Sequence, residues 1–279
     1  TLVGVTIGNR ATRIDSDAFR NCPGLSAISI PDGVTSIGAD AFRGCGNLAA
    51  VAFGNGLTRI EARAFLQCTS LNGVHLPNGT TTLEGAVFSG CSALTTVTLG
   101  NSLTTLSAEL FLNCGALTSI VIPDSVASVG DSAFRGCGSL GSVTFGSGLA
   151  SIGLQAFSNC TSLSNLDIPA NVQTLGIYAF SGCSGLVTLA VGNGVTSIGD
   201  YAFSQCTSLA QVTLGSSVTS LGSRAFSGCQ GLNRMTFAGS APTLQDAFVF
   251  EGTPAFTVIY PVTQTGWGDS YGGKTAMPS

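Results

Sequence analysis

Ten cysteines fall 23 residues apart without an insertion or deletion, from Cys22, Cys45 and Cys68 to Cys229. Phenylalanine keeps the same interval three residues ahead of each (Phe19, Phe42, Phe65 to Phe226), and leucine keeps it three residues behind (Leu25, Leu48, Leu71 to Leu232). A period this strict restricts the chain to a stack of like units. Each unit has too few apolar residues to close a core alone and must bury them against its neighbours.

One unit translates readily into structure. In Leu25-Ser26-Ala27-Ile28-Ser29-Ile30, Ile28 and Ile30 alternate with Ser29, the pattern of a half-buried strand. Pro31-Asp32-Gly33 reads as a turn, and the Asp or Asn at its second position in most units is expected to bond its own backbone. Val34 and Ile37 then point inward. Ala41, Phe42 and Cys45 have the spacing of one short helical turn facing the core. Stacking at the strand-to-strand distance of about 4.8 Å makes each inward position a ladder. Period and L-x-x-(V/I)-x-(I/L/F) pattern together are a leucine-rich-repeat signature. The expected fold is therefore an α/β solenoid with a parallel sheet on one face, and short helical turns and a Thr/Ser-rich strand edge on the other.

A longer period overlies the first. The residue before each cysteine alternates between Asn or Gln (Asn21, Gln67, Asn113, Asn159, Gln205) and Gly (Gly44, Gly90, Gly136, Gly182, Gly228). Proline follows the strand in every second unit (Pro31, Pro77, Pro123, Pro169), with glycine in the others, until Gly215 breaks the series. The duplicated unit is thus 46 residues long. From Ala238 the pattern slips by one residue and then stops, which divides the chain into a ten-repeat solenoid over 1–237 and a degenerate repeat with a C-terminal cap over 238–279. No such cap precedes Leu2, so that end is expected to meet upstream sequence or a docking partner.

The motif I-x-x-x-A-F-x-x-C-x-x-L-x-x-(V/I), seen at Ile37 to Val51 and again in every unit, closely resembles the BspA-like leucine-rich repeats of secreted and surface proteins. The ending Val258-Ile259-Tyr260-Pro261, with Gly266-Trp267-Gly268 and Tyr271-Gly272-Gly273, is similar to the caps of such arrays. The resemblance implies an extracellular or cell-surface location and a role in adhesion or recognition. Fold alone does not fix that role.

The side chains offer little chemistry. Cysteines at one inward position project in parallel, whereas a disulfide needs converging Cβ atoms and zinc needs clustered ligands; they read as small buried hydrophobes. His75, the single histidine, takes a solvent-facing strand position with no carboxylate beside it. Acids are too scattered for a glycosidase pair or a calcium cage. The chain is therefore expected to be no enzyme and to hold no cofactor or metal. A net charge of −4 argues against nucleic acid, and no apolar run of 18 residues suggests membrane insertion.

Two exposed files are candidate binding surfaces. The sheet face presents Thr6, Ser29, His75, Thr98, Thr144, Asp167, Thr213 and Thr236, a smooth row lacking the aromatic and arginine anchors of most interfaces. The opposite edge presents paired hydroxyls: Thr35-Ser36, Thr81-Thr82, Thr104-Thr105, Thr196-Ser197 and Thr219-Ser220. Elsewhere Leu66, Leu112, Leu154 and Ile177 replace polar residues, and Tyr178 and Tyr201 are expected to stack. The reading is a secreted or cell-surface adhesion module whose partner is a protein or glycan on a cell or matrix surface. One alternative is a filament or surface-layer subunit joined end to end to copies of itself. The other is ice binding through the Thr/Ser ladders.

Overall fold

The computed structural model describes residues 2–279, and among these it contains strands and turns but no helix. The chain divides into two units, Thr1–Gly148 and Leu149–Ser279.

In each unit the repeat makes one coil with two short strands. The first follows the Leu-x-x-(V/I) pattern: Ile28 is buried in Ala27–Ser29 while its neighbours are exposed. The second is the two-residue strand that ends on the inward Ile or Leu, such as Ser36–Ile37. Strands pair in parallel with the equivalent strand 23 residues on, so that Ile37 meets Ile60 and Leu189 meets Val212. The core is a set of ladders. Phe42 and Phe65 stack with centroids 5.0 Å apart, and Phe180 and Phe203 at 5.4 Å, all fully buried. Each buried ring removes roughly 150–250 Å² from water. The buried thiols of the ladder donate to the carbonyl of the Phe 26 residues earlier, as Cys68 does to Phe42 at 3.2 Å and Cys206 to Phe180 at 3.3 Å.

The expected helical turn is absent, and the architecture is an all-strand parallel solenoid rather than α/β. Two residues per coil, four apart, sit in the left-handed region: Asp40 (φ 55°) and Gly44 (φ 72°), then Arg63 and Gln67. A right-handed helix cannot pass through such residues. The backbone donors also alternate in direction. The N–H groups of Ala41, Arg43 and Cys45 bond three residues back, while those of Asp40, Phe42 and Gly44 reach the carbonyls of Ala62, Ala64 and Leu66 in the next coil. Ala41, Phe42 and Cys45 are all fully buried, which is why their spacing imitates a helix face.

The 46-residue period shows in the contacts between coils. Asn21 lies over the α-carbon of Gly44, and a Cβ there would come within 2.3 Å of Asn21 Oδ1. Gly182 lies under Asn159 Oδ1 at the same distance. Proline and glycine alternate likewise, since a Cβ on Gly54 would meet the Pro31 carbonyl at 2.5 Å. The turn Asp and Asn side chains do not bond their own turn as expected. Asp32 Oδ1 accepts the N–H of Asn55 at 2.7 Å, and Asn193 Oδ1 that of Ser216 at 2.8 Å, each one coil onward.

The units differ on the sheet face. In the first, three-residue strands pair two by two: Ala27–Ser29 with Ala50–Ala52, Gly73–His75 with Thr96–Thr98, and Ser119–Val121 with Ser142–Thr144. In the second, four-residue strands from Asn165–Ile168 to Arg234–Phe237 run on without a break into Thr257–Tyr260 and Lys274–Pro278. The slip expected from Ala238 falls after Leu244, which still pairs with Leu221; Phe226 then stacks on Phe250 at 6.0 Å. Trp267 packs on Phe237 at 4.9 Å and on Tyr260 at 4.8 Å, and Tyr271 Oη donates to the Pro242 carbonyl at 2.8 Å. These aromatics cover the last coil.

Candidate functional site

Of the sheet-face candidates, Ser29, His75, Thr98, Thr144, Asp167 and Thr213 lie exposed on strands, and Thr236 is half-buried. Thr6 is exposed but precedes the first strand, Arg13–Ile14. His75 Nδ1 lies 3.1 Å from Thr98 Oγ1. A hydroxyl on an adjacent coil, with no carboxylate to orient the ring, is not a catalytic arrangement.

The hydroxyl edge has internal duties. Thr35 donates to the Thr12 carbonyl at 3.2 Å, Thr81 to Thr58 at 3.2 Å and Thr219 to Thr196 at 3.1 Å, so these hydroxyls tie their coils to the ones before. Thr104 and Thr196 are exposed members of the same file. The adjoining file carries Ser36, Thr82, Thr105, Ser197 and Ser220, with Ser220 donating to Ser197 at 2.9 Å.

Burial governs the thiols. Desolvation pushes Cys91, Cys137, Cys183 and Cys229 up to about 12, so they stay protonated and unreactive at neutral pH. No group of three His, Cys, Asp or Glu is placed to hold a metal among the described residues. No described helix is long and apolar enough to cross a membrane.

The surface features that stand out lie on the turn edge, at the first left-handed position of each coil. In the first unit it is mostly charged, at Asp17, Asp40, Arg63 and Glu109. Asp40, nearly covered, takes Arg63 Nη2 at 2.8 Å and Arg43 Nη1 at 3.1 Å, and Arg63 first, then Arg43, holds its carboxyl below the usual carboxylate range against the cost of burial. In the second unit it is aromatic. Tyr178 and Tyr201 stack at 4.6 Å and 14°, as the sequence led us to expect. Arg224 continues the file: its guanidinium lies 5.9 Å from the Tyr201 ring and 5.0 Å from Phe248, and it donates to Tyr201 Oη at 3.0 Å and to Glu251 at 2.8 Å. Those two bonds raise its pKa further. Ile177 and Phe248 flank it, each nearly half exposed. Arg224 and Phe248 had gone unnoticed in the sequence. The signal was present in the residue two before each Phe, which turns from charged, small or amide to aromatic at Tyr178.

Solved structures with this fold include the pneumococcal vaccine antigen PcpA, at 22% identity over 95% of this chain and 78% of that one, with a TM-score of 0.60. A leucine-rich repeat protein from Bacteroides ovatus is similar at 22% identity over 96% and 87% of the two chains (TM-score 0.52). One from Eubacterium ventriosum is similar at 20% identity over 94% and 84% (TM-score 0.54). No curated protein sequence matches the chain. The family model of the BspA type leucine rich repeat region matches in six copies over residues 12–141 and 105–233. The chain, with its 23-residue coils and ladders of Phe and Cys, therefore belongs to the BspA-type leucine-rich-repeat family.

Proposed function

We propose that the chain is a non-enzymatic binding module of a cell-surface protein, and that it docks a protein partner on the turn edge of its second unit. The observation that carries this is the file Tyr178–Tyr201–Arg224–Phe248. Tyr and Arg dominate the energetics of protein interfaces, and here they are set in register by the coil spacing. Arg224 is already fixed by Glu251 and Tyr201, so little side-chain freedom is lost on binding. The sheet-face row from Ser29 to Thr213 lacks such anchors and serves as the wider contact surface of an adhesion module. The extracellular location follows the family's habit and agrees with a sparsely charged, neutral surface.

The test is binding to a panel of matrix proteins by the Tyr201→Ala/Phe248→Ala variant and by His75→Ala. Loss of the two file residues is expected to weaken binding at least tenfold, about 1.4 kcal/mol or more, while His75→Ala leaves it unchanged. Equal binding by all three proteins, or none by the parent, removes the proposal.

A further inference from the structure

A groove of about 390 Å³ lies on the second unit, at the small end of the roughly 300–1,000 Å³ of ligand clefts. Ser197 and Ser220 line it from the strand side and Ile177 and Asp200 from the turn side, with Gly199 and Gly222 between them in sequence. Gln245 lines it one coil further on.

The first unit shows what this place in the coil can hold. There, the positions of Gly199 and Gly222 are occupied by Glu61 and Glu84, which reach back to backbone donors of the preceding coil. Glu61 Oε2 accepts the N–H of Ala39 at 3.1 Å, and Glu84 Oε2 that of Ala62 at 2.9 Å. The equivalent donors in the groove are the N–H groups of Ile177 and Asp200. Glycine offers them no oxygen, and neither has a partner among the described residues. The next donor in line, Ser223 N–H, is taken by Asp200 Oδ1 at 2.8 Å and Gln245 Oε1 at 3.3 Å. The groove thus holds two backbone donors one coil apart, about 4.8 Å, where the fold elsewhere seats a carboxylate or carboxamide oxygen.

Charge and spacing narrow the ligand. Arg59 pairs with Glu61 and Glu84 in the first unit; its counterparts here are Ser197 and Ser220, and Asp200 adds a negative charge. An anionic ligand would be repelled, so the acceptor is a neutral acyl oxygen. Same-side carbonyls of an extended peptide lie about 6.6 Å apart, too far to meet both donors. A sugar ring, with an acyl oxygen and hydroxyls close together, can meet both.

We propose that this groove is a subsite for an N-acetylated amino sugar. The acetamido oxygen accepts from Ile177 N–H and a ring hydroxyl from Asp200 N–H, the methyl rests on the Ile177 side chain, and a further hydroxyl pairs with Ser197 and Ser220. This site adjoins the protein-docking file at Ile177 and goes beyond it.

The test is amide NMR of the whole chain, titrated with N,N′-diacetylchitobiose and, in parallel, with the same disaccharide bearing free amines. The Ile177 and Asp200 amides are expected to shift saturably with the acetylated sugar alone. Ser220→Arg, which copies a residue the fold already carries at Arg59, is expected to weaken that binding at least tenfold while the remaining amides keep their positions. Unmoved Ile177 and Asp200 amides overturn the proposal, as do equal shifts from the amine. A glutamine-bearing peptide that moves both amides where the sugar does not also overturns it, assigning the groove to a protein side chain. Loss of matrix-protein binding in the Tyr201→Ala/Phe248→Ala variant leaves this outcome unaffected, so the two proposals fail separately.

Discussion

The two units share a core and differ in almost everything that faces water. Phe, Cys and Leu ladders recur in both with the same burial. Yet the first unit has a sheet face broken into strand pairs and an edge of Arg–carboxylate pairs, with Glu61 and Glu84 closing two of its backbone donors. The second has an unbroken sheet, an aromatic and guanidinium edge, and glycines that leave those donors open. The periodic positions specify the coil, and the residues that break step with them set what each unit presents to water.

The comparison can be put under strain first through the core. Phe65→Ala and Phe203→Ala should each cost roughly 3–5 kcal/mol, read by denaturant unfolding. Hydrogen exchange should then show faster opening confined to the unit that carries the change; equal acceleration in both units would mean that they open as one. Gly54→Ala comes next. It sets a Cβ against the Pro31 carbonyl, 2.5 Å away, and should cost about 1–3 kcal/mol by overpacking, whereas Gly115→Ala, which meets nothing within 4 Å, should leave the melting temperature nearly unmoved. Glu84→Ala should cost about 1 kcal/mol, the carboxylate being partly exposed, and should speed exchange at the Ala62 amide. That would make the first unit's edge resemble the second's. The smallest effect expected is that of Asp40→Asn, below about 1 kcal/mol because its arginine partners are half exposed. Its carboxyl is held below the unfolded value, so its contribution is full above the ordinary carboxylate range and fades as pH falls through the lowered pKa. An acid titration of stability should therefore separate parent from variant at neutral pH and bring them together in acid.

Most of the coil was legible in the sequence, because a ladder repeats each inward choice ten times. Ile28 inward beside Ser29 outward, Phe on Phe and the stacked tyrosines all followed from spacing. The helical turn did not. Ala41, Phe42 and Cys45 have helical spacing, but φ above zero at Asp40 depends on bonds to the next coil that no local pattern encodes. For the same reason Asp32 looked like a local turn former while its oxygen serves the following coil. The candidate site was less legible. Arg224 and Phe248 come together across the one-residue slip, and the groove is defined by donors whose partners are missing, which a sequence does not display.

The fit of Pro31 against Gly54 also bears on how such arrays change length. A duplication of a single proline coil leaves one seam at which proline meets proline, where the backbone of the preceding coil leaves no room for a Cβ, whereas a glycine coil can stack on its like as Gly215 stacks on Gly192. A duplication of two coils leaves every junction as it was. Recombination within the gene is thus expected to lose single copies of a proline coil to instability while two-coil copies survive, before selection can act on the reach either would have given.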